Sequence, residues 1–567
     1  MAVIGIDLGT TNSLCCVWRG GRCELIPNSL GDYLTPSVVS VDTNGDILTG
    51  KIARERLISH PAHTAASFKQ YMGSDKSFTL GNLSFRPEEL SSLLLHRLKE
   101  DAEVFLGEPV TEAVISVPAY FNNSQRTMTK LAGELAGFVV ERIINEPSAA
   151  ALAYRHQTGA SGTYLVIDFG GGTLDISVVE LFDNIVDIIA VAGNNRLGGD
   201  NIDNAILNMF LNSNPELPER LSDTEKASLR KLAEQSKINL SSAEQVIMRY
   251  VHDKRSYDLL LTNQLLADIC APILAELKAV LLHALKDSRR HISAIDEVIL
   301  AGGSGRMPVV QRYLTHITGK TPRCEIDPDK AIALGVGIVT GIKSREAGIR
   351  DVIMTDICPF TLGTDILNQR TNSHEFSPIL ERNTALPASN ARLYSTIRDQ
   401  QTAVDIDVYQ GESISVMNNL WLGKLRMAVP PAPAGRVCVS IRFSYDINGI
   451  LEVDATCLQN GATEQKLIVT NSSLSQQEIS DRRQALLQLK TPPRERDHNR
   501  LLLERGMRLY EESTGALREI TQTELALFTM ALEHSAHLSE LELARNRFLQ
   551  FLETADRPDD ELYLGRA

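Results

Sequence analysis

Hydrophobic and polar positions change their spacing twice along the chain. Through roughly the first 340 residues, short apolar runs ending in Asp and glycine alternate with helical stretches. Two of these runs are alike. Met1–Ser13 predicts a strand, a turn and a second strand that continues through Leu14–Trp18. Tyr164–Ile167 leads into Asp168, three glycines, Thr173 and another strand-like run, Ile176–Glu180. Each predicts a β-hairpin with glycine at its tip. From Cys358 to Thr470 the period becomes two: Ala403–Tyr409 and Val437–Phe443 alternate. Asp446-Ile-Asn-Gly449 signals a hairpin before Ile450–Thr456, and Pro430–Gly435 predicts a rigid loop. Such a series predicts a compact β-sandwich. From Ser475 the spacing is helical. Ser475–Glu478 is a capping box, Pro492-Pro493 breaks that helix, and Leu517–Ala536 and Leu538–Leu552 predict a small bundle. The charged and apolar stretch Gly341–Asp356 marks the boundary between the α/β and β parts.

The two hairpin tips carry chemistry. Asp7, Gly9 and Thr10 mirror Asp168, Gly170 and Thr173. Glycine leaves no Cβ in the way, so backbone N–H groups can close around an anion. An Asp at the strand end offers a hard oxygen to a hydrated cation, and threonines offer hydroxyls. One such hairpin is also what an ordinary tight turn looks like. Two of them predict two related lobes gripping one polyphosphate. The spacing is not that of a P-loop: the only Gly-Lys-Thr, Gly319–Thr321, has Leu314 where the first glycine should stand.

At 567 residues, roughly three or four domains are expected. The net charge of −14 argues against a nucleic-acid binder. No signal peptide and no apolar run long enough for a transmembrane helix is visible, so no membrane partner is expected. The eight cysteines form no Cys-x-x-Cys, and reduced thiols in a cytoplasmic setting fit best.

Asp7-Leu-Gly-Thr-Thr-Asn-Ser13 together with Ile167-Asp-Phe-Gly-Gly-Gly-Thr-Leu-Asp-Ile-Ser177 resembles the ATPase domain of the DnaK-type 70-kDa heat-shock chaperones. Val117–Arg126, Ile143–Tyr154, Leu197–Asp203 and Leu300–Pro308 follow in that family's order, with the closest likeness to a divergent bacterial branch. The resemblance spans nearly the whole chain. It implies an actin-like two-lobed α/β ATPase domain of the sugar-kinase superfamily over 1–349 and a linker over 350–357. A β-sandwich peptide-binding domain over 358–472 and a short helical lid over 473–567 would follow.

The resemblance also implies roles that the residues alone leave open. Lys69, Glu146, Asp175 and Thr173 would be catalytic, and Asp7 and Asp168 would hold Mg²⁺. Gly9, Thr10, Thr11, Asn12, Gly170, Gly171, Gly172, Gly198 and Gly199 would cradle phosphates. Glu234, Lys237, Ser241, Gly302, Gly303, Ser304, Arg306 and Asp329 would line the nucleoside pocket. By themselves, Lys69 is a surface lysine, Glu146 a charge at a helix N-terminus, and Glu234 with Lys237 a surface ion pair. Tyr394, Val404 and Ile406 would line a peptide pocket under an arch of Leu367 and Ile397, although each also reads as sandwich core. Arg142 and Asp356 would couple the two halves.

The implied cofactors are ATP or ADP, Mg²⁺ and K⁺. The implied partners are extended apolar polypeptides and a J-domain cochaperone. The segment between Ser242 and Leu265 is shorter than in DnaK itself, which bears on whether the standard exchange factor is used. The linker has Thr355 as its fourth residue where the family has an apolar one, Gly305 replaces a common threonine, and Asn368–Ser373 is more polar than usual. Two other readings stay open: a metabolite kinase of the same superfamily, or an actin-like scaffold ATPase.

Overall fold

A computed structural model of the chain describes residues 2–159, 161–182, 185–218, 221–346, 349, 352–368, 373–445, 451–468, 494–513, 515–534 and 538–555. The capping box at Ser475–Glu478, the Pro492-Pro493 break and the turn at Asp446–Gly449 lie outside the described residues.

Two large sheets form the α/β part, and they share a plan. In the first, Ala2–Asp7, Asn12–Arg19 and Arg22–Ile26 make an antiparallel meander, with Val110–Val117 and then Val139–Asn145 parallel on the other side of Ala2–Asp7. In the second, Gly162–Phe169, Leu174–Phe182 and Ile185–Asn194 make the meander, with Glu297–Ala301 parallel to Gly162–Phe169. Leu174–Phe182 is buried at every position but the last, so its near-continuous run fits a strand covered on both faces.

Helices Glu146–Thr158 and Ala331–Lys343 lie between the sheets and share one core with residues of both. They meet backbone to backbone: a Cβ on Gly335 would stand 1.8 Å from the carbonyl oxygen of Ala149. The expected helix Leu229–Asn239 runs over Asp223–Leu240. Gly319 of the Gly-Lys-Thr caps helix Pro308–Thr318 at φ +71°, so that motif is a helix end.

The β part is two four-stranded sheets around one core. One orders Ser373–Leu380, Leu362–Asn368, Ala403–Gln410 and Leu420–Ala428; the other orders Ala388–Ser395, Cys438–Tyr445, Leu451–Cys457 and Thr463–Ile468. Leu451–Cys457 alternates strictly between buried and half-buried, as period two requires.

Ile353–Ile357 joins the halves as a strand. It runs parallel to Ile185–Asp187, and its last two residues pair with Ala385 and Leu386. Thr355, the unusual fourth linker residue, bonds the Asp187 carboxylate opposite it. The short hairpin pairs Gln245–His252 with Arg255–Thr262 through Asp253-Lys254, both at positive φ.

Helices Arg494–Glu512, Gly515–His534 and Leu538–Ala555 share a small core of Leu502, Leu509, Phe528, Phe548 and Leu552. Arg494–Glu512 packs on the first lobe, against helix Gly50–Ser59. Leu501 joins Val38, Leu48, Ile52 and Ala53 there. Beside this contact Arg56 donates to Glu504 at 2.6 Å, with side chains only 4% and 7% exposed. Ser40 holds the Arg56 Nε at 2.8 Å.

Removing one partner of a buried ion pair leaves the other desolvated and costs about 3–5 kcal/mol. Glu504→Ala should therefore release Arg494–Glu512 from the first lobe while the three-helix core survives. Amide exchange in that helix is expected to speed up with the ATPase lobes unchanged; unchanged protection would show that the pair does not hold the contact.

Candidate active site

The two glycine turns face each other across a cleft of about 460 Å³ between the sheets. Their tips nearly touch: a Cβ on Gly171 would stand 1.9 Å from the Thr11 hydroxyl. The second turn is strapped from behind, because Gly199 N–H donates to the Gly170 carbonyl at 3.0 Å and Asp200 N–H to that of Gly171 at 2.8 Å. The Ser304 hydroxyl donates to the Gly170 carbonyl at 2.8 Å. The first turn is tied by Ser37, which donates to the Gly9 carbonyl at 2.7 Å.

Three carboxylates, Asp7, Asp168 and Glu146, line the floor, and a fourth, Asp175, lies behind them. Asp7 ends strand Ala2–Asp7 and accepts from Ser116 at 2.8 Å. Asp168 stands one residue before the end of its strand. Asp175 accepts from the Tyr120 N–H at 3.0 Å through one oxygen, while its other oxygen is buried without a partner. Glu146 opens helix Glu146–Thr158 and bonds Lys69 at 2.6 Å, the two side chains being 5% and 3% exposed. Ser67, at φ +54°, turns the chain into the short helix that carries Lys69.

Burial, followed by the Glu146 charge, pushes the Asp7 and Asp175 carboxyls up to about 7. Asp168 is raised by burial and then by Glu146, Asp175 and Asp7. One lysine faces four carboxylates, so the floor lacks positive charge. Among the described residues no three His, Cys, Asp or Glu side chains are placed to hold a metal by themselves. Asp7 and Asp168 fit an ion that takes the rest of its shell from water and phosphate.

The rest of the cleft is lined by Glu234, Lys237, Ser241, Gly302, Gly303, Ser304, Arg306 and Asp329, together with Gly9, Thr10, Thr11, Asn12, Gly170 and Thr173. Gly172, Gly198, Gly199 and Asp175 stand behind this lining, not in it. Lys237 pairs with Asp203 at 2.8 Å, Glu234 with Arg54 across the cleft at 2.9 Å, and Arg306 with Asp327 and Asp329. Leu34, Ile238, Met307 and Ile332 add apolar walls that sequence reasoning missed.

Compared with known families, the chain matches the Hsp70 protein family over residues 3–80 and 77–540. The chain belongs to the Hsp70 family. Hsp70 proteins are ATPases and ATP-dependent chaperones with an actin-like ATPase domain and a substrate-binding domain. They bind ATP or ADP with Mg²⁺, unfolded client peptides and J-domain cochaperones.

In this Hsp70 the residues next to Glu146 lead out of the cleft. Asn145 accepts from Arg126 at 2.6 Å and donates to Asp356 of the linker strand at 2.6 Å. Arg142 lies near enough to act on the Asp356 charge; burial raises the Asp356 carboxyl, and Arg126 and Arg142 oppose that. The sequence pattern does not single out Asn145 and Arg126, although both fall inside the motifs Ile143–Tyr154 and Val117–Arg126.

Of the residues expected to form a peptide site, Ile406 is 1% exposed within the sandwich core, and Tyr394 and Val404 pack against it. Leu367 and Ile397 stand outside that core, Ile397 being 39% exposed. Among the described residues no helix is long and apolar enough to cross a membrane.

Burial pushes the Asp203 carboxyl up to about 6 although Lys237 opposes it. A carboxyl raised in the folded state contributes stability that is present at low pH and lost as pH rises from about 4 through about 6. Lys237→Met should enlarge that loss. Unfolding of ligand-free protein in urea is expected to show about 1–3 kcal/mol lost at pH 8 and little at pH 5. A loss equal at both pH values would refute the pairing as its cause.

Proposed function

We propose that the cleft binds ATP with Mg²⁺ and that its hydrolysis controls a peptide site in the β part. Lys69–Glu146 faces the cleft floor, and the adjoining Asn145 grips Asp356 of the linker strand. That adjacency carries the proposal: the group beside the hydrolytic water and the group holding the linker are neighbours in the chain.

Asp7 and Asp168 would hold the hydrated ion, which neutralises phosphate charge when bound. Thr10, Thr11, Thr173 and the turn amides would bind phosphate oxygens. Glu146, oriented by Lys69, would position a water and take its proton, and the Lys69 ammonium would offset charge developing on phosphate. Asp175 would hold a second water. Arg306, held by Asp329, would lie against the base, with Ile238 and Met307 as apolar walls; Glu234, Lys237 and Ser241 would reach the ribose and the base edge. K⁺ is a further cation for this acidic floor.

With ATP bound, the linker strand stays paired and the lid helix stays on the first lobe. After hydrolysis the strand leaves, and the β part closes on an extended apolar segment through backbone bonds and the Tyr394–Val404–Ile406 pocket. The working units are 1–349, 350–357, 358–472 and 473–567. A J-domain partner would act near Arg142 and the linker, the short hairpin bears on whether the standard exchange factor is used, and the eight free thiols support a cytoplasmic site of action.

Steady-state ATP turnover, with and without short apolar peptides, tests this. Peptide should raise turnover in the wild type. Thr173→Ala should lower turnover about 10²-fold or more. Asp356→Asn should keep basal turnover and lose most of the peptide response. Phosphorylation of a small acceptor would favour a metabolite kinase, nucleotide-driven polymerisation a scaffold, and no peptide response in the wild type would overturn the coupling.

A further inference from the structure

Cys16 and Cys23 sit on neighbouring strands of one hairpin, Asn12–Arg19 and Arg22–Ile26. Cys16 pairs with Leu25 and Trp18 with Cys23, so the two cysteines share a sheet face as diagonal neighbours. That face packs on helix Ala331–Lys343. A Cβ on Gly337 of that helix would stand 2.1 Å from the Cys23 sulfur and 3.1 Å from the Cys16 sulfur, so both sulfurs converge over one glycine. Burial, and then the neighbouring Cys23, raise the Cys16 thiol. Cys16 is fully buried and donates to the Ala333 carbonyl at 2.9 Å, whereas Cys23 is half-buried. Cys438 and Cys457 share a sheet too, but Cys457 pairs with Val439, so Cys438 points to the opposite face.

Plain apolar filling would account for one cysteine here. It does not account for two sulfurs converging over the same glycine, one of them on a half-buried residue. We propose that Cys16 and Cys23 are a redox-active pair that a peroxide converts to a reversible disulfide. The Cys23 sulfur attacks the peroxide; an S–O bond forms, the O–O bond breaks and one water leaves. The Cys16 sulfur then attacks Cys23; the S–S bond forms, the S–O bond breaks and the second water carries off the Cys16 proton. Two thiols lose two electrons and the peroxide gains two.

Diagonal neighbours stand about 7–8 Å apart at Cα, beyond the ~4.4–6.8 Å that a disulfide spans. Closing the bond therefore draws the strands together. The Gly20-Gly21 turn, both residues at positive φ, is where the hairpin can give. The other end of strand Asn12–Arg19 is the phosphate turn Gly9–Asn12, so the bond should disturb the cleft.

The test uses full-length protein treated with hydrogen peroxide, then N-ethylmaleimide, then peptide mapping. A Cys16–Cys23 cross-link that dithiothreitol removes is expected in the wild type and in Cys324→Ser, and not in Cys23→Ser. ATP turnover should fall several-fold on oxidation and recover on reduction, while Cys23→Ser keeps its activity under peroxide. Over-oxidation of Cys23 without a cross-link, a cross-link through Cys15, or oxidation confined to the exposed Cys324 would each overturn the proposal. The map decides the pair even if the protein turns over no ATP, an outcome that would count against the proposed function alone.

Discussion

The pairing of Ile353–Ile357 with Ile185–Asp187 is the constraint on which the arrangement of the two halves rests. The strand completes the edge of the second lobe's sheet on one side and takes Ala385 and Leu386 from the β part on the other. A one-residue slip would turn every side chain to the opposite face. Neighbouring contacts need that register. Val191 N–H donates to Asn383 at 3.3 Å, Arg382 and Asn383 both bond Asp287, and Asn123 N–H donates to Gln410 at 3.1 Å. The Tyr120 and Phe360 rings lie 4.4 Å apart. Apart from the Arg382–Asp287 ion pair, each is a modest polar or ring contact, so the interface holds as a set.

The cleft works by the opposite logic. Its carboxylates are buried with too little positive charge, and their raised carboxyls record that cost. Rigid backbone keeps them there: two strand ends, one helix start and straps from Gly199, Asp200 and Ser304. Such a site is least comfortable when empty, which gives a cationic ligand a difference in affinity to exploit.

Local patterns made the hairpins, the alternating β strands and the helical end legible, and the ordered motifs pointed to residues that line one cleft. What stayed hidden was pairing over long separations. Nothing in a helical period says that Glu234 meets Arg54, that Lys237 meets Asp203, or that Arg494–Glu512 lies on Gly50–Ser59. Asn145 was invisible for another reason: its two partners come from a helix and a linker strand that only the folded chain brings together. Periodicity also cannot distinguish a pocket floor from a core, and Ile406, nearly sealed from solvent, is placed where both readings meet.

The Arg56–Glu504 contact joins residues 448 positions apart. On a ribosome adding about 5–20 residues per second, Glu504 emerges roughly 20–90 s after Arg56. Until Leu501 follows, the patch of Val38, Leu48 and Ile52 lacks the side chain that completes its packing. The newborn chain thus displays, for tens of seconds, an apolar surface that helix Arg494–Glu512 covers in the folded protein.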